Sequence, residues 1–381
     1  GLGFAFVGRK PGRNGSNPSA AMTARGGGAL NAKTFFITAL ACVLLALGGT
    51  AAVVAWADPL LTAGTLEEGG AALFVNERYE MAGLIRRQPY EDIVMGTSLV
   101  ANYRASWFEE GTGRKTLKVT FPDGRLSEFD IALDLAYRTH GTLNTVYFGL
   151  DPNVLIREDG GVELPEYLYN DNPVDDLEFY FNAESLGLAV KSLMQGDEAR
   201  TTLDEAFIWD GKHKFSWFTA LESYPRPETV SEPLPANSFL EDARTNMDLV
   251  CSWVEDHPDT QFKIWFPPYS ILYWDKAQRE GTTEAILTAL EYAWGRLLAY
   301  DNVCVYSFLN DRWTTTNLEY YTDHVHCSSQ VTRQTAQGMI NGDWRIWPEH
   351  YKSQLDELRQ FVTSYDYGAL YSWQDQLEQG A

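Results

Sequence analysis

The chain has 381 residues, of which 45% are hydrophobic and 22% charged, with a formal net charge of -22. That is enough apolar material for one large domain or two ordinary ones, and it excludes a wholly disordered chain. The acidic excess excludes a nucleic-acid partner, because phosphate binding needs clustered Lys and Arg; it suits a soluble surface and neutral or small ligands.

The charge is uneven along the chain. Residues 1–57 hold Arg9, Lys10, Arg13, Arg25 and Lys33 and no acid. Residues 1–34 are basic and rich in Gly, Ala and Asn, and are expected to be disordered, with Met22 a candidate start. Residues 35–57 carry no charge and are almost wholly apolar, a run that suits a membrane-spanning helix, which needs about 20 apolar residues. Basic residues before it and acids from Asp58 onward place the N-terminus inside and the rest of the chain outside the cytoplasm. Ala55-Trp56-Ala57 has the small-x-small pattern of a signal-peptide cleavage site. The apolar run is longer than a signal core of roughly 7–15 residues, so an uncleaved membrane anchor is the expectation.

Residues 58–88 read as a connecting segment, and residues 89–381 as an α/β domain. Five short apolar runs suggest strands: Asp92–Met95, Thr116–Phe121, Thr145–Phe148, Gln261–Phe266 and Val303–Phe308. Helical patterns follow at Leu99–Glu110, Leu126–Thr139 and Thr283–Tyr300, and a last amphipathic helix spans Glu349–Thr363. Strands alternating with helices imply βαβ units, hence a parallel sheet sandwiched by helices. A long stretch at about 152–237, rich in Asp, Asn, Pro, Tyr and Trp, is expected to form helical hairpins over the carboxyl edge of the sheet, where open α/β folds bind ligands.

Few residues carry obvious chemistry. Gly96-Thr97-Ser98 ends the first strand, where a serine hydroxyl rises above the sheet and a helix N-terminus favours negative charge; the alternative is a simple N-cap serine. After the fifth strand comes Asp323-His324-Val325-His326-Cys327, in which Asp323 can orient the His326 imidazole. Asp210 and His213 repeat the spacing, but inside the insertion rather than beyond the last core strand. Zinc ligation by Asp323, His324, His326 and Cys327 is disfavoured, since adjacent side chains point apart and no distal ligand cluster accompanies them; no metal and no cofactor is expected. Of four cysteines, Cys42 lies in the apolar run; Cys251, Cys304 and Cys327 cannot all pair, and a Cys304–Cys327 bridge is one open arrangement.

Taken in order, these blocks over residues 92–330 resemble the SGNH/GDSL hydrolase superfamily. The first block resembles Asp92-Ile-Val-Met-Gly96-Thr97-Ser98, with Ser98 as nucleophile and Thr97 where many members carry Asp. The second is matched by Gly124 in Phe121-Pro-Asp-Gly124, whose N–H the resemblance assigns to the oxyanion. The third is Gly149-Leu150-Asp151, where the family usually has Gly-x-Asn-Asp; the last is Asp323-x-x-His326. An ionised Asp151 cannot donate to an oxyanion as that Asn does. Three alternatives stay open: Asp151 is protonated, Asn153 replaces it, or the domain is a poor or silent enzyme. Tyr167–Pro173 and Trp265–Ser270 are similar to segments of a membrane-anchored branch associated with envelope polysaccharide, with Tyr269 and Ser270 as cleft residues.

The resemblance implies an extracytoplasmic serine esterase or O-acyltransferase with Ser98, His326 and Asp323 as triad and Gly124, Asp151, Asn153 and Tyr269 at the oxyanion or substrate. Its partners would be an acylated glycan or small ester and, through the N-terminal helix, the membrane. A catalytically silent domain that binds glycan or scaffolds an envelope assembly is the alternative.

Overall fold

The computed structural model describes residues 31–61, 65–66, 70–172, 174–175 and 177–371; of the basic segment expected over residues 1–34, residues 1–30 lie outside them, and Ala32 to Thr34 are helical. The chain divides into two compact units, residues 1–48 and 49–381. The first contributes most of the apolar helix Ala32–Ala57, which is 26 residues long, or about 39 Å at 1.5 Å per residue. That is long and apolar enough to cross a bilayer, a property signal sequences share.

The second unit is built on a six-stranded sheet. We number its strands β1 (Asp92–Gly96), β2 (Thr116–Thr120), β3 (Thr145–Gly149), β4 (Gln261–Phe266), β5 (Val303–Ser307) and β6 (Arg345–Ile346). Their spatial order is β2-β1-β3-β4-β5-β6, parallel except for β6, which runs antiparallel at the edge. Every residue of β1, β2 and β3 is buried, as expected where helices cover both faces of a parallel sheet.

Successive side chains alternate between two cores. Ile93, Met95, Leu117, Val119, Val146, Phe148 and Ile264 face one; Val94, Tyr103, Phe108, Tyr147, Trp265 and Met339 form the other. Ala105–Thr112 packs with Ser329–Asn341 against this second core, while Leu240–Asp256 packs with Thr283–Leu297. At the amino edge, the fully buried Asp92 carboxylate takes the Arg114 Nε–H at 2.9 and 3.0 Å, and Arg114 also donates to Thr145 Oγ1 at 3.0 Å. One arginine thereby ties β1 to β3.

Register decides what shares the carboxyl edge. Gly96 pairs with Thr120 and Gly149, Gly149 with Trp265, and Phe266 with Ser307. The segments leaving β1, β3 and β4 therefore emerge side by side, next to the point where the strand order reverses between β1 and β3. The last helix is Tyr351–Ser364. Residues 152–237 contain short helices, Pro152–Leu155, Glu166–Tyr169, Leu177–Phe181, Ala183–Met194 and Trp217–Glu222, with 3-10 turns and a two-residue strand between them. All four cysteines are free thiols, so Cys304 and Cys327 form no bridge.

Candidate active site

The turn that carries Ser98 is made by what Gly96 lacks. A methyl there would lie 2.5 Å from Val100 Cγ2 and 3.2 Å from Gly149 O, so only glycine lets the next helix fold back onto the strand ends. Thr97 is the extended N-cap and Ser98 the first residue of helix Ser98–Ala101, a position whose N–H has no intrahelical acceptor. The sequence pattern suggests one helix over Leu99–Glu110; the chain instead breaks at Asn102 and resumes at Ala105–Thr112. Lys118, on β2 and buried, explains the break: Nζ donates to Ala101 O and Tyr103 O at 2.8 Å each. Carbonyls that a continuing helix would have used are satisfied by this side chain. Burial pushes the Lys118 ammonium down to about 7.

The turn that carries Asp323 and His326 lies beyond β5. An antiparallel bridge joins Tyr321 and Cys327, and Thr322 N donates to His326 O at 3.1 Å, closing the loop that carries Asp323 and His326. Asp323 Oδ1 accepts from Val325 N and His326 N at 2.8 Å each, and Oδ2 lies 2.7 Å from His326 Nδ1. Burial raises the Asp323 carboxyl, but the bonds to His326 and the two backbone N–H groups outweigh it and hold the group at about 2. The loop is fastened to the segment after β4, where Ser270 N and Oγ donate to His324 O at 3.2 and 2.8 Å and Tyr321 OH donates to Pro268 O at 2.8 Å.

These two turns meet. Ser98 Oγ is 2.8 Å from His326 Nε2 across 228 positions of sequence. With Nδ1–H donated to Asp323, the His326 ring turns its Nε2 lone pair toward the Ser98 hydroxyl, a tautomer that follows from these hydrogen bonds. The His326 ring, and not that of His213, meets Ser98; the His213 ring stands edge-to-face with Trp209 at 5.3 Å.

The remaining expected site residues divide. Asp151 lies against the Gly96–Ser98 turn: Thr97 Oγ1 donates to Oδ2 at 3.3 Å, while Oδ1 accepts from Asn153 N at 2.9 Å and from Tyr269 OH. Burial raises the Asp151 carboxyl to about 6 against these bonds and the pull of Arg157 and His326. Asp151, Asn153 and Tyr269 are thus one cluster, joined through Thr97 to the turn that carries Ser98. Gly124 is not in it. Its N–H donates to Phe121 O at 2.9 Å, and its carbonyl accepts from Arg157 at 2.9 Å. The Phe121–Gly124 turn spends the donor that the resemblance assigns to an oxyanion. Within Tyr167–Pro173, Tyr169 OH donates to Arg78 O at 2.8 Å and Asp171 pairs with Arg86 and Arg138, so the segment packs against helices; Pro173 lies outside the described residues.

Two site residues escape a sequence reading. Trp209 donates its indole N–H to Ser98 O at 3.1 Å, and its ring stands at 89° to the His326 ring, 5.3 Å away. Asn102, fully buried, accepts at Oδ1 from Trp209 N and Asp210 N at 3.1 Å each and donates from Nδ2 to Cys327 O at 3.3 Å. Neither has a motif; the one available signal is an aromatic-rich insertion following the third strand. Among the described residues, no group of three or more His, Cys, Asp or Glu could hold a metal.

No family model and no curated protein matches the chain. A solved chain from Streptococcus pneumonia that carries a platelet activating factor description aligns with 70% of this chain and 90% of its own, at 14% identity and a TM-score of 0.39.

Proposed function

We propose that the protein is an extracytoplasmic serine esterase or O-acyltransferase of the SGNH/GDSL kind, anchored by its N-terminal helix and acting through an acyl-Ser98 intermediate. One observation carries the reading: the Ser98–His326–Asp323 hydrogen-bond chain at 2.8 and 2.7 Å on the carboxyl edge of the sheet. Ser98 Oγ attacks the ester carbonyl as its proton passes to His326 Nε2, and Asp323 stabilises the imidazolium. The Ser98 N–H serves the oxyanion, joined by Asp151 whenever its carboxyl is protonated. His326 returns the proton to the leaving alcohol. Water then yields an esterase; a sugar hydroxyl yields a transferase. An acylated envelope glycan as substrate rests on the sequence resemblance alone.

A serine-reactive phosphonate applied to the full chain should label Ser98, and Ser98→Ala should remove both the label and p-nitrophenyl acetate turnover while leaving circular dichroism unchanged. Turnover that survives Ser98→Ala would exclude this nucleophile. A reporter fused after Ala381 should signal outside the cytoplasm; a cytoplasmic signal would overturn the topology. The Asp151 carboxylate favours a second reading, a silent domain that binds glycan, because an ionised side chain there opposes an oxyanion. No label and no turnover on acetylated glycan or small esters would select it.

A further inference from the structure

We infer that Asn102 and Trp209 are positioning residues that clamp the Ser98–His326 contact, an inference that rests on the reading of Ser98 as nucleophile. The contact joins segments 228 positions apart through a single hydrogen bond. A displacement of about 1 Å in such a pair can cost on the order of 10²-fold in rate. The loop carrying His326 is fastened on one side, at Ser270 and Pro268, to the segment after β4. Its other side needs a tie to the nucleophile helix, and Asn102 provides one.

An amide is the side-chain chemistry this position requires. Oδ1 accepts two backbone N–H groups of the 209–210 segment while Nδ2 donates to the carbonyl next to His326. Aspartate has no donor for Cys327 O, and an apolar residue would leave three backbone groups without this partner. Because Asn102 is also the C-cap of Ser98–Ala101, its bonds bear directly on the nucleophile's own helix. The 209–210 segment then reaches back over both reacting groups. The Trp209 indole N–H takes the Ser98 carbonyl, and its ring edge limits the swing of the His326 imidazole. Asp210 completes the loop by accepting from Ser329 N at 3.2 Å and from the Ser329 hydroxyl, three positions beyond His326. Helix break, insertion and histidine turn are thereby closed into one ring around the contact.

Trp209→Phe keeps an aromatic edge against His326 and removes only the bond to Ser98 O; Asn102→Asp keeps the acceptor and removes the donor to Cys327 O. Both are compared with wild type in the full chain by kcat and KM for p-nitrophenyl acetate, the rate constant of Ser98 phosphonylation and the thermal midpoint. The clamp predicts that kcat and phosphonylation fall together, about 10-fold for Trp209→Phe and about 100-fold for Asn102→Asp, with KM within about twofold. Should Asn102→Asp fail to fold, Trp209→Phe decides alone. Folded variants that phosphonylate at the wild-type rate overturn the clamp and leave the esterase reading intact. If wild type itself is not labelled at Ser98, the esterase reading fails. The clamp is then judged by the His326 imidazole 15N resonances, which shift in both variants if it holds and stay unmoved if it does not.

Discussion

Replacing Asp151 with Asn separates a buried charge from a buried hydrogen-bonding shape. Asp151 is only 8% exposed, and burial raises its carboxyl from 3.8 to about 6. The folded protein therefore holds a proton that the unfolded chain releases. Stability from this group is complete below about pH 4 and is lost as pH rises through about 6, in total about 3 kcal/mol at 1.36 kcal/mol per pKa unit. Asn cannot titrate. Its Oδ1 still accepts from Asn153 N and Tyr269 OH, and its Nδ2 can donate to Thr97 Oγ1, whose hydroxyl both donates and accepts. Urea unfolding of wild type and Asp151→Asn at several pH values between 3.5 and 8 gives the difference in stability. That difference should grow in favour of Asn by about 3 kcal/mol, and packing effects of the substitution cancel in its pH dependence. The ratio of variant to wild-type esterase activity should climb over the same interval, because the amide donates where the carboxylate repels. A stability difference that stays flat with pH would refute the burial-driven shift, and loss of all activity in the Asn variant would refute the donor argument.

Asp323→Asn should lower kcat on the order of 10⁴-fold with the fold retained, because the wrong imidazole tautomer then faces Ser98; wild-type kcat would sink the assignment. Gly96→Ala should cost about 1–3 kcal/mol in urea unfolding, since its methyl meets Val100 Cγ2 at 2.5 Å. Adding Val100→Ala should restore part of that cost, and additive losses would contradict the steric account. Arg114→Met leaves the fully buried Asp92 carboxylate without its partner and should destabilise by about 3–5 kcal/mol. Asp92→Asn in the same chain should recover much of it.

The parts of the site visible in the sequence are those governed by local rules. Each of β1 to β5 can be located because its apolar run is short and bounded by turn residues, and Gly96 announces a turn because glycine tolerates close approach. Asp323 and His326 can be paired on paper because a three-residue spacing within one turn brings them together. Contacts made across the fold have no such signature. Lys118 reads as an ordinary charged strand residue, yet its ammonium ends a helix on the neighbouring segment. Asn102 and Trp209 meet across 107 positions through a backbone N–H, a partnership that composition cannot encode. Gly124 misleads for the opposite reason: Phe-Pro-Asp-Gly is itself a turn sequence, and forming the turn consumes the N–H that the family pattern would reserve for chemistry. The two-residue strand β6 is too short to leave a period.

The loop from Tyr321 to Cys327 makes the acid and base of the candidate triad one module. Bonds within the loop and to Pro268 and Ser270 hold its geometry, so imidazole and carboxylate travel as one body. The serine belongs to another body, set by the sheet. Motion between the two opens the Ser98–His326 bond and the Asn102–Cys327 bond that spans the same seam, and leaves the dyad assembled, ready to re-engage. In dilute denaturant, therefore, reactivity toward a phosphonate should fade while the helical and strand signals persist, because the seam between these bodies yields before either one melts.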